Sequence, residues 1–340
     1  MNLSRFQSLA EKYPKLRIAV VGDFCLDRYL EIDPGRQEVS IETGLPVHNV
    51  VNVRSQPGGA GTILNNLVAL GIGEIYPIGF SGEDGEGFEL RRALRERRGV
   101  HLDHFLMTPE RRTFTYCKPL VLAPGKPPVE LNRLDSKNWS PTPAGIQGQF
   151  IDSVARIAPE VDAIILLDQV DVPETGVITP RLLEAVSRLA RELPELLIVA
   201  DSRRGLRGFP NVTFKMNSSE LAFLAGWKPL LDLEAMKQVA IVLAQRQGRD
   251  VFVTLAERGI LGATPSGVCE HVPALPVRGE IDIVGAGDAV TANLAAALAG
   301  GAELREALEI ANAAASLVIH QLGTTGTATV SDIGEKLTGH

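Results

Sequence analysis

Short apolar runs alternate with longer amphipathic segments along most of the chain. The runs have the length and composition of buried strands, and the segments between them repeat their apolar residues at helical spacing. Strands that alternate with helices are typical of a mainly parallel sheet covered by helices on both faces. The strands are predicted at 17–23, 75–80, 163–168, 196–201, 212–217 and 251–256, and the helices at 62–71, 85–99, 179–194 and 233–248.

Two segments interrupt this alternation, residues 28–56 and 111–135. Both contain strand-like stretches separated by Pro and Gly turns, with little helical pattern. We expect them to form a small β-sheet beside the cleft, as a lid or as a dimer surface. Since no linker separates independent units, residues 1–340 are predicted to be one domain with this lid inserted in it.

Four of the predicted strands end in a polar residue, namely Asp23, Asp168, Asp201 and Asn217. In a parallel sheet the carboxyl ends of the strands share one edge, where α/β proteins commonly have their site. Each of these residues could instead cap a following helix. Four together favour a cleft at this edge.

The strongest local motif is DIVGAGD at 282–288, which precedes an Ala-rich helix. Gly285, Ala286 and Gly287 would present free backbone N–H groups at the helix start, which favours phosphate binding. Asp288 would oppose a bound anion there unless it accepts a proton from an attacking hydroxyl, as phosphoryl transfer requires. The motif alone is equally consistent with an ordinary helix N-terminus whose Asp interacts with the helix dipole.

Composition and charge narrow the classes of function. The chain has 34 basic and 41 acidic residues, and a net charge of −7 argues against general nucleic-acid binding while allowing a small phosphorylated ligand. The start of the chain lacks the apolar region of a secretory signal, and no apolar stretch reaches the roughly 20 residues of a membrane span. Three widely separated cysteines indicate neither disulfides nor zinc. We expect a cytoplasmic protein with no nucleic-acid or membrane partner.

Five motifs in order resemble the ribokinase-like (PfkB) family of sugar kinases. The resemblance implies a three-layer αβα sandwich with a mainly parallel central sheet, and an ATP-dependent kinase that phosphorylates a sugar hydroxyl. Further stretches at residues 22–36, 111–116, 131–135 and 321–333 are most similar to the heptose-7-phosphate kinase branch. The five motifs are PGGAG at 57–61, GFSGEDGEG at 79–87, NSSE at 217–220, VTLAERG at 253–259 and DIVGAGD at 282–288.

The resemblance implies a role for each matched residue. Asp288 would be the base that deprotonates the acceptor hydroxyl, and the anion hole would comprise Gly285, Ala286 and Gly287. Mg²⁺ would be organised through water by Asn217 and Glu220. The nucleotide would contact Asn217, Glu220, Thr254, Glu257, Gly259, Gly285, Gly287 and the stretch 321–326. Glu257 could equally be an exposed charge in a turn.

The acceptor sugar would bind near the N-terminal motifs. The resemblance assigns its hydroxyls to Asp23, Asp27, Gly58 and Gly59, with Thr62 where the family usually has Asn. The two aspartates could instead cap and bridge loops. A phosphorylated sugar also needs cationic contacts, and the candidates are Arg111, Arg112, Arg203 and Arg204. Each of these arginines could also be a solvated surface charge.

Three departures from the family pattern, Thr62, Val284 and Ala256, leave other functions open. A nucleoside kinase or other sugar kinase of the same fold is one alternative, and a non-catalytic sugar- or nucleotide-binding relative is another. A dinucleotide-dependent oxidoreductase is disfavoured because the turn after the first strand lacks G-x-G-x-x-G. The resemblance also suggests a monovalent cation near Asp282. The two interrupting segments could pair with those of a second copy, so we expect a homodimer formed through the β lid. The nucleotidyltransferase domain often fused to such kinases is not expected among these 340 residues.

Overall fold

A computed structural model of the protein describes residues 1–226 and 232–339. The helices, numbered in chain order, are α1 (Leu3–Ala10), α2 (Ala60–Ala69), α3 (Gly85–Arg95), α4 (Ala144–Ile157), α5 (Pro180–Glu192), α6 (Ser218–Ala225), α7 (Leu233–Gln247), α8 (Ala286–Ala299), α9 (Leu304–Val318) and α10 (Val330–Thr338). The strands are β1 (Arg17–Gly22), β2 (Phe24–Ile32), β3 (Glu38–Val39), β4 (Pro46–Val47), β5 (Val50–Gly59), β6 (Glu74–Gly82), β7 (Phe105–Thr108), β8 (Phe114–Val121), β9 (Val129–Glu130), β10 (Leu134–Ser136), β11 (Ala163–Asp168), β12 (Leu197–Ser202), β13 (Thr213–Asn217), β14 (Val251–Thr254), β15 (Ile260–Ala263) and β16 (Cys269–Val272).

The larger sheet has nine strands within the described residues, in the order β16-β15-β14-β13-β12-β11-β1-β6-β7. The strands from β14 to β7 are parallel to their neighbours, and β15 and β16 add an antiparallel edge. Alternate residues of β1 face opposite layers: Ile18 and Val20 pack with α2, α8 and α9, and Ala19 and Val21 pack with α4, α5 and α7. This three-layer arrangement confirms the predicted fold class.

The predicted strands agree with the observed ones to within one or two residues. Helix α3 ends at Arg95, short of the predicted 99, and the chain then turns through Gly99 at a φ of +75°. Strand β14 ends at Thr254, short of the predicted 256, because Ala256 turns the chain with a φ of +52°. The short edge strands β15 and β16 were not predicted.

The two interrupting segments form a second sheet, with strands in the order β10-β8-β2-β5 and β9 paired to β8. We call this the small sheet. Strand β2 lies at its centre, antiparallel to β5 and parallel to β8. The additional small sheet predicted from the sequence is therefore present. The assignment of residues 1–340 to one domain includes 227–231 and 340, which lie outside the described residues, and it stays a prediction.

Asp23 lies where the chain passes from β1 in the large sheet to β2 in the small sheet. Its Oδ2 accepts hydrogen bonds from the backbone N–H groups of Gln169 and Val170 at 2.8 and 3.2 Å, and its Oδ1 accepts one from Val177 at 2.7 Å. Burial, together with the nearby Asp168 carboxylate, raises the pKa of Asp23 to about 6 despite these three donors. The buried carboxylate thereby fixes the segment after β11 against the junction of the two sheets.

None of the helices in the described ranges combines the length and apolar character that a membrane span requires.

We expect Asp23→Asn to speed amide hydrogen exchange at Gln169, Val170 and Val177 roughly tenfold or more, because an amide oxygen cannot accept all three backbone N–H groups and the amide NH₂ would face donors. Hydrogen exchange at pH 7.5 measures this difference. The exposed Asp152→Asn on α4 is the matched control. Equal exchange rates in the two variants would show that the three hydrogen bonds do not hold the junction.

Candidate active site

A cavity lies between the small sheet and the carboxyl edge of the parallel strands. It is lined by residues of β2, β5, β8 and α2, by the segments after β9, β11, β12 and α9, and by the start of α8. The lining residues are Cys25, Asp27, Gly59, Thr62, Tyr116, Lys118, Arg133, Gln169, Arg203, Val284, Gly285, Asp288 and Thr325.

The cavity brings together six residues singled out from the sequence: Asp27, Gly59, Thr62, Arg203, Gly285 and Asp288. Gly58 lies directly behind Asp27, since a Cβ on it would meet Asp27 Oδ2 at 2.4 Å. Gly59 has a φ of +57°, and a Cβ there would lie 2.5 Å from the backbone oxygen of Asp23. Glycine at these positions allows β5 to approach the junction of the two sheets closely.

Asp288 stands in the first turn of α8 and faces the cavity. Within the described residues no group hydrogen-bonds its carboxylate, so the oxygens are open to a ligand. Burial raises the pKa of Asp288 to about 7, and the Asp201 and Asp27 carboxylates add to this rise while Lys215 opposes it. A carboxylate with such a pKa can accept a proton near neutral pH and then release it.

Hydrogen bonds to the loop after α9 fix the turn that precedes α8. Gly285 caps the helix at a φ of +83°. The Asp282 carboxylate accepts hydrogen bonds from the N–H groups of Val284 at 3.0 Å and Gly323 at 3.3 Å, which ties the loop after α9 to this turn. In that loop Thr325 accepts a hydrogen bond from Gln56 of β5 at 2.7 Å. The Ala286 N–H, which was predicted to belong to the anion hole, donates to the Ile283 carbonyl oxygen at 3.2 Å and is therefore not free. Within the described residues the N–H groups of Gly285 and Gly287 have no such partner, and Gly285 lines the cavity.

Three cationic side chains line the same cavity. Lys118 of β8 lies 3.4 Å from Asp27, whose pKa is raised by burial although Lys118 opposes the rise. Arg133 stacks over the ring of Tyr116, with 5.0 Å between its guanidinium carbon and the ring centroid. Its guanidinium also donates to both carboxylate oxygens of Asp135, at 2.6 and 3.2 Å. The Arg203 side chain is 55% exposed, and its Nε lies 3.6 Å from Asp171, so it is only weakly paired. The cavity can therefore accommodate an anionic group.

The sequence reasoning missed Tyr116, Lys118 and Arg133. Tyr116 and Lys118 are two residues apart on β8 and so share one face, and Tyr116 lies opposite Asp27 in the register of β2 and β8. The spacing of two residues that puts Tyr116 and Lys118 on one face of β8 can be read from the sequence. The pairing of β8 with β2, which brings that face to Asp27, cannot.

Two of the predicted acceptor residues have other environments. The buried Arg111 guanidinium donates to the carbonyl oxygens of Ser140 at 3.0 Å and Thr175 at 2.6 Å, so it holds loops together outside the cavity lining. Asp23 is occupied by three backbone N–H groups. These contacts give both residues a structural part in the fold and do not support the predicted contact with substrate.

Arg112 and Arg204 also lie outside the lining of the cavity. The Arg204 guanidinium is paired with Asp168 at 2.8 Å. The backbone N–H of Arg112 donates to Asn138 at 3.1 Å. Of the four arginine candidates, the structure brings Arg203 to the cavity.

The predicted nucleotide residues lie around the ends of β13 and β14. Asn217 and Glu220 form a capping box at the start of α6: Asn217 Oδ1 accepts from the Glu220 N–H at 2.9 Å, and Glu220 Oε2 accepts from the Asn217 N–H at 2.7 Å. Thr254 pairs with Asn217 across the two strands. Glu257 is exposed and Gly259, which has a φ of +94°, is buried, and both belong to the turn that follows β14.

The residues at this edge fit a Mg²⁺ ion that keeps most of its waters. Glu220 uses one carboxylate oxygen for the capping box, and its second oxygen lies outside that pair. Among residues 1–226 and 232–339 there is no cluster of three or more His, Cys, Asp or Glu side chains that could hold a metal. Mg²⁺ commonly binds through one or two carboxylates, water and substrate phosphates, which this donor set can supply.

Comparisons with known proteins agree with this geometry. Residues 205–330 match the pfkB family of carbohydrate kinases. The chain is 32% identical, over 98% of its length, to the bifunctional protein HldE of Citrifermentans bemidjiense, and it covers 66% of that protein. It is 30% identical, over 100% of its length, to the bifunctional protein HldE of Pelobacter propionicus, of which it covers 67%. The chain thus spans about two thirds of the length of these relatives.

A solved structure gives the same fold. Ribokinase from Arabidopsis thaliana, complexed with ribose and ATP, matches 95% of this chain and 98% of its own chain, with a TM-score of 0.67 and 19% sequence identity. The ribokinase-like fold predicted from the motifs is therefore confirmed. Together with the full-length similarity to the two HldE proteins, this shows that the chain belongs to the PfkB family of carbohydrate kinases.

Proposed function

We propose that the chain is an ATP-dependent kinase that transfers the γ-phosphoryl group to a hydroxyl of a phosphorylated sugar, with a heptose 7-phosphate as the preferred acceptor. One observation carries this proposal: a single cavity joins the Asp288 carboxylate and the start of α8 to the cationic side chains of Lys118, Arg133 and Arg203. The base and the helix start serve phosphoryl transfer, and the cations would hold a phosphate that the acceptor already carries.

The seven-carbon acceptor is supported by two further points. Stretches of the sequence resemble the heptose-7-phosphate kinase branch, and relatives at about 30% identity bear the name bifunctional protein HldE. Arg133 belongs to one of those stretches, at 131–135.

In the proposed reaction the acceptor oxygen attacks the γ-phosphorus while its proton passes to Asp288. The bond between the γ-phosphorus and the oxygen of ADP breaks, and ADP leaves with that electron pair. The N–H groups at the start of α8 would stabilise the charge on the transferred group. Asp27 and Lys118 would orient the acceptor. Glu220 would hold Mg²⁺ through water, and the ion, when bound, neutralises charge on the phosphates.

The acceptor is tested by measuring ADP release with heptose 7-phosphate, unphosphorylated heptose, fructose phosphates, ribose and adenosine. We expect heptose 7-phosphate to have the highest kcat/KM. Arg133→Met is expected to raise KM for heptose 7-phosphate roughly 10- to 30-fold, because it removes a charged contact to the phosphate, and to leave KM for unphosphorylated heptose unchanged. Arg36→Met, which changes an exposed arginine between β2 and β3, is the control.

Two results would contradict this acceptor. A preference for adenosine over every sugar would make the chain a nucleoside kinase. Ligand binding in calorimetry without ADP release for any acceptor would make it a non-catalytic relative, in keeping with the departures at Thr62, Val284 and Ala256.

Asp288→Asn is expected to lower kcat by at least roughly 10³-fold and to leave ATP affinity within about threefold, because the amide cannot accept the proton. In the wild type, kcat/KM should fall as pH drops below about 7, where Asp288 becomes protonated. Steady-state kinetics from pH 5.5 to 9 measure both effects. Full activity of the variant would exclude Asp288 as the base.

The Asp288→Asn variant should be more stable than the wild type at alkaline pH. The pKa of Asp288 in the folded protein, about 7, exceeds the ordinary carboxyl value near 4, so ionisation costs folding free energy. We expect the stability gap to grow as pH rises from about 4 to about 7 and to stay constant above. Urea unfolding at pH 5 and pH 8 measures this gap, and a gap that does not depend on pH would contradict the raised pKa.

Exposed apolar residues on the small sheet support a homodimer. Its strand β5 exposes Val51 and Val53 on one face, 50% and 44% exposed, and Leu134 of β10 is 65% exposed. Such apolar residues on a sheet commonly mark an interaction surface. Because they belong to the sheet that carries Lys118, a second copy bound there would also stabilise one wall of the cavity.

Light scattering after gel filtration should give twice the chain mass of 36.5 kDa. Val51→Lys/Val53→Lys is expected to give the single-chain mass, since two buried charges oppose pairing of the sheets. Val242→Lys, at a 62% exposed valine of α7, is the matched control. A monomeric wild type would contradict the dimer.

A further inference from the structure

Lys215 is a buried cation next to the proposed catalytic residues. It lies in β13 at the carboxyl edge of the large sheet, and its side chain is 7% exposed. Its Nζ donates to Asp201 Oδ2 at 2.8 Å, and the same oxygen accepts from the Thr291 hydroxyl of α8 at 2.8 Å. The ammonium is therefore fixed between two neighbouring strands and α8.

The ammonium also touches the helix start that we assign to phosphate binding. A Cβ placed on Gly287 would lie 3.2 Å from Lys215 Nζ. A cation is unfavourable at a helix N-terminus, because the free N–H groups there carry partial positive charge. Burying an ammonium adds a further cost that one carboxylate offsets only in part. Stability alone does not favour this position, whereas an anion at the helix start would be attracted by the ammonium and the N–H groups together.

The two carboxylates near the start of α8 would repel a phosphate, and a cation beside them reduces this repulsion. Asp201 and Asp288 are two carboxylates close enough to raise the pKa of Asp288. With Lys215 the three groups carry a net charge of −1 when ionised, and without it they would carry −2. Since the phosphates of ATP are also negative, Lys215 removes part of the repulsion at the point where phosphoryl transfer would occur.

We infer that Lys215 is a further catalytic residue, whose ammonium contacts the transferred phosphoryl group beside the start of α8 and stabilises its charge. This inference rests on the proposed function. Asp201 is the positioning residue that holds the ammonium. Lys215 stays protonated throughout, so the bonds formed and broken remain those of the proposed reaction. The alternative is that Lys215 serves only as the counterion of Asp201.

The test compares binding of ADP with binding of ADP plus beryllium fluoride, which mimics the γ-phosphoryl group, in the presence of Mg²⁺ and without acceptor. Titration calorimetry gives both affinities. In Lys215→Met we expect the affinity for ADP to stay within about threefold of the wild type, and the gain in affinity from beryllium fluoride to fall roughly 30-fold or more. The kcat should fall roughly 10²-fold while KM for the acceptor changes little.

Thr291→Val is the matched control, because it removes the other hydrogen bond to the same oxygen of Asp201 without changing any charge. It should keep the beryllium fluoride gain within about threefold. The inference is overturned if Thr291→Val loses the gain as strongly as Lys215→Met. It is also overturned if Lys215→Met keeps the gain, or weakens ADP and ADP–beryllium fluoride equally.

If Lys215→Met does not fold, Asp201→Asn and Asp201→Asn/Lys215→Met are compared in its place, since the double variant leaves no unpaired buried charge. A counterion-only role predicts the same beryllium fluoride gain in both, and the inference predicts its loss in the double variant. A wild type that binds no ADP overturns the proposed function and the inference with it. If the wild type turns over and Lys215→Met keeps the gain in affinity from beryllium fluoride, the inference alone is overturned.

Discussion

A carboxylate can accept a proton near neutral pH only where negative charge is unfavourable, and the residues around Asp288 meet this constraint. Each neighbouring carboxylate has its own lysine: Asp27 lies 3.4 Å from Lys118, and Asp201 lies 2.8 Å from Lys215. Within the described residues Asp288 has no such ion pair. Its pKa of about 7 follows from this difference, because burial and two carboxylates oppose its ionisation while Lys215 compensates only in part.

The same constraint explains why two sheets are needed. The large sheet contributes the helix start, Asp201 and Lys215, whereas Asp27 and Lys118 come from the small sheet. The wall that carries Asp27 must therefore be fixed relative to α8. Asp23 does this at the junction of β1 and β2, where its carboxylate binds three backbone N–H groups from the segment after β11. A residue outside the lining of the cavity thus helps to fix the wall that carries Asp27.

Much of this arrangement could be predicted from the sequence, because it depends on local patterns. Apolar runs gave the buried strands, and the DIVGAGD motif gave the turn, the start of α8 and the position of Asp288. The partners of charged side chains could not be predicted. Arg111 and Lys118 belong to the same interrupting segment, yet Arg111 is buried against carbonyl groups 29 and 64 residues further along the chain, and Lys118 reaches Asp27 through the pairing of β8 with β2. Such partners depend on tertiary contacts.

The N-x-x-E motif shows a second limit of sequence reasoning. Asn217 and Glu220 have the spacing of a capping box and of a magnesium-organising pair, and one spacing cannot separate the two roles. The structure contains the capping box, which uses one Glu220 oxygen. Because the second oxygen lies outside that pair, helix capping and metal binding can coexist, and the capping bond would orient the carboxylate toward the edge of β13.

The three departures from the family pattern differ in what they contact. Thr62 is buried in α2 and lines the cavity, so it changes the surface that an acceptor meets. Val284 precedes Gly285 at the rim, and its backbone N–H, which the substitution leaves in place, forms the bond to Asp282. Ala256 has a φ of +52° in an exposed turn, a conformation that costs an L-residue about 1 kcal/mol. The Val284 bond to Asp282 uses its backbone, and the Asp201–Lys215 pair involves none of the three side chains. Under the proposed function, Thr62 is therefore the departure that would meet the acceptor directly.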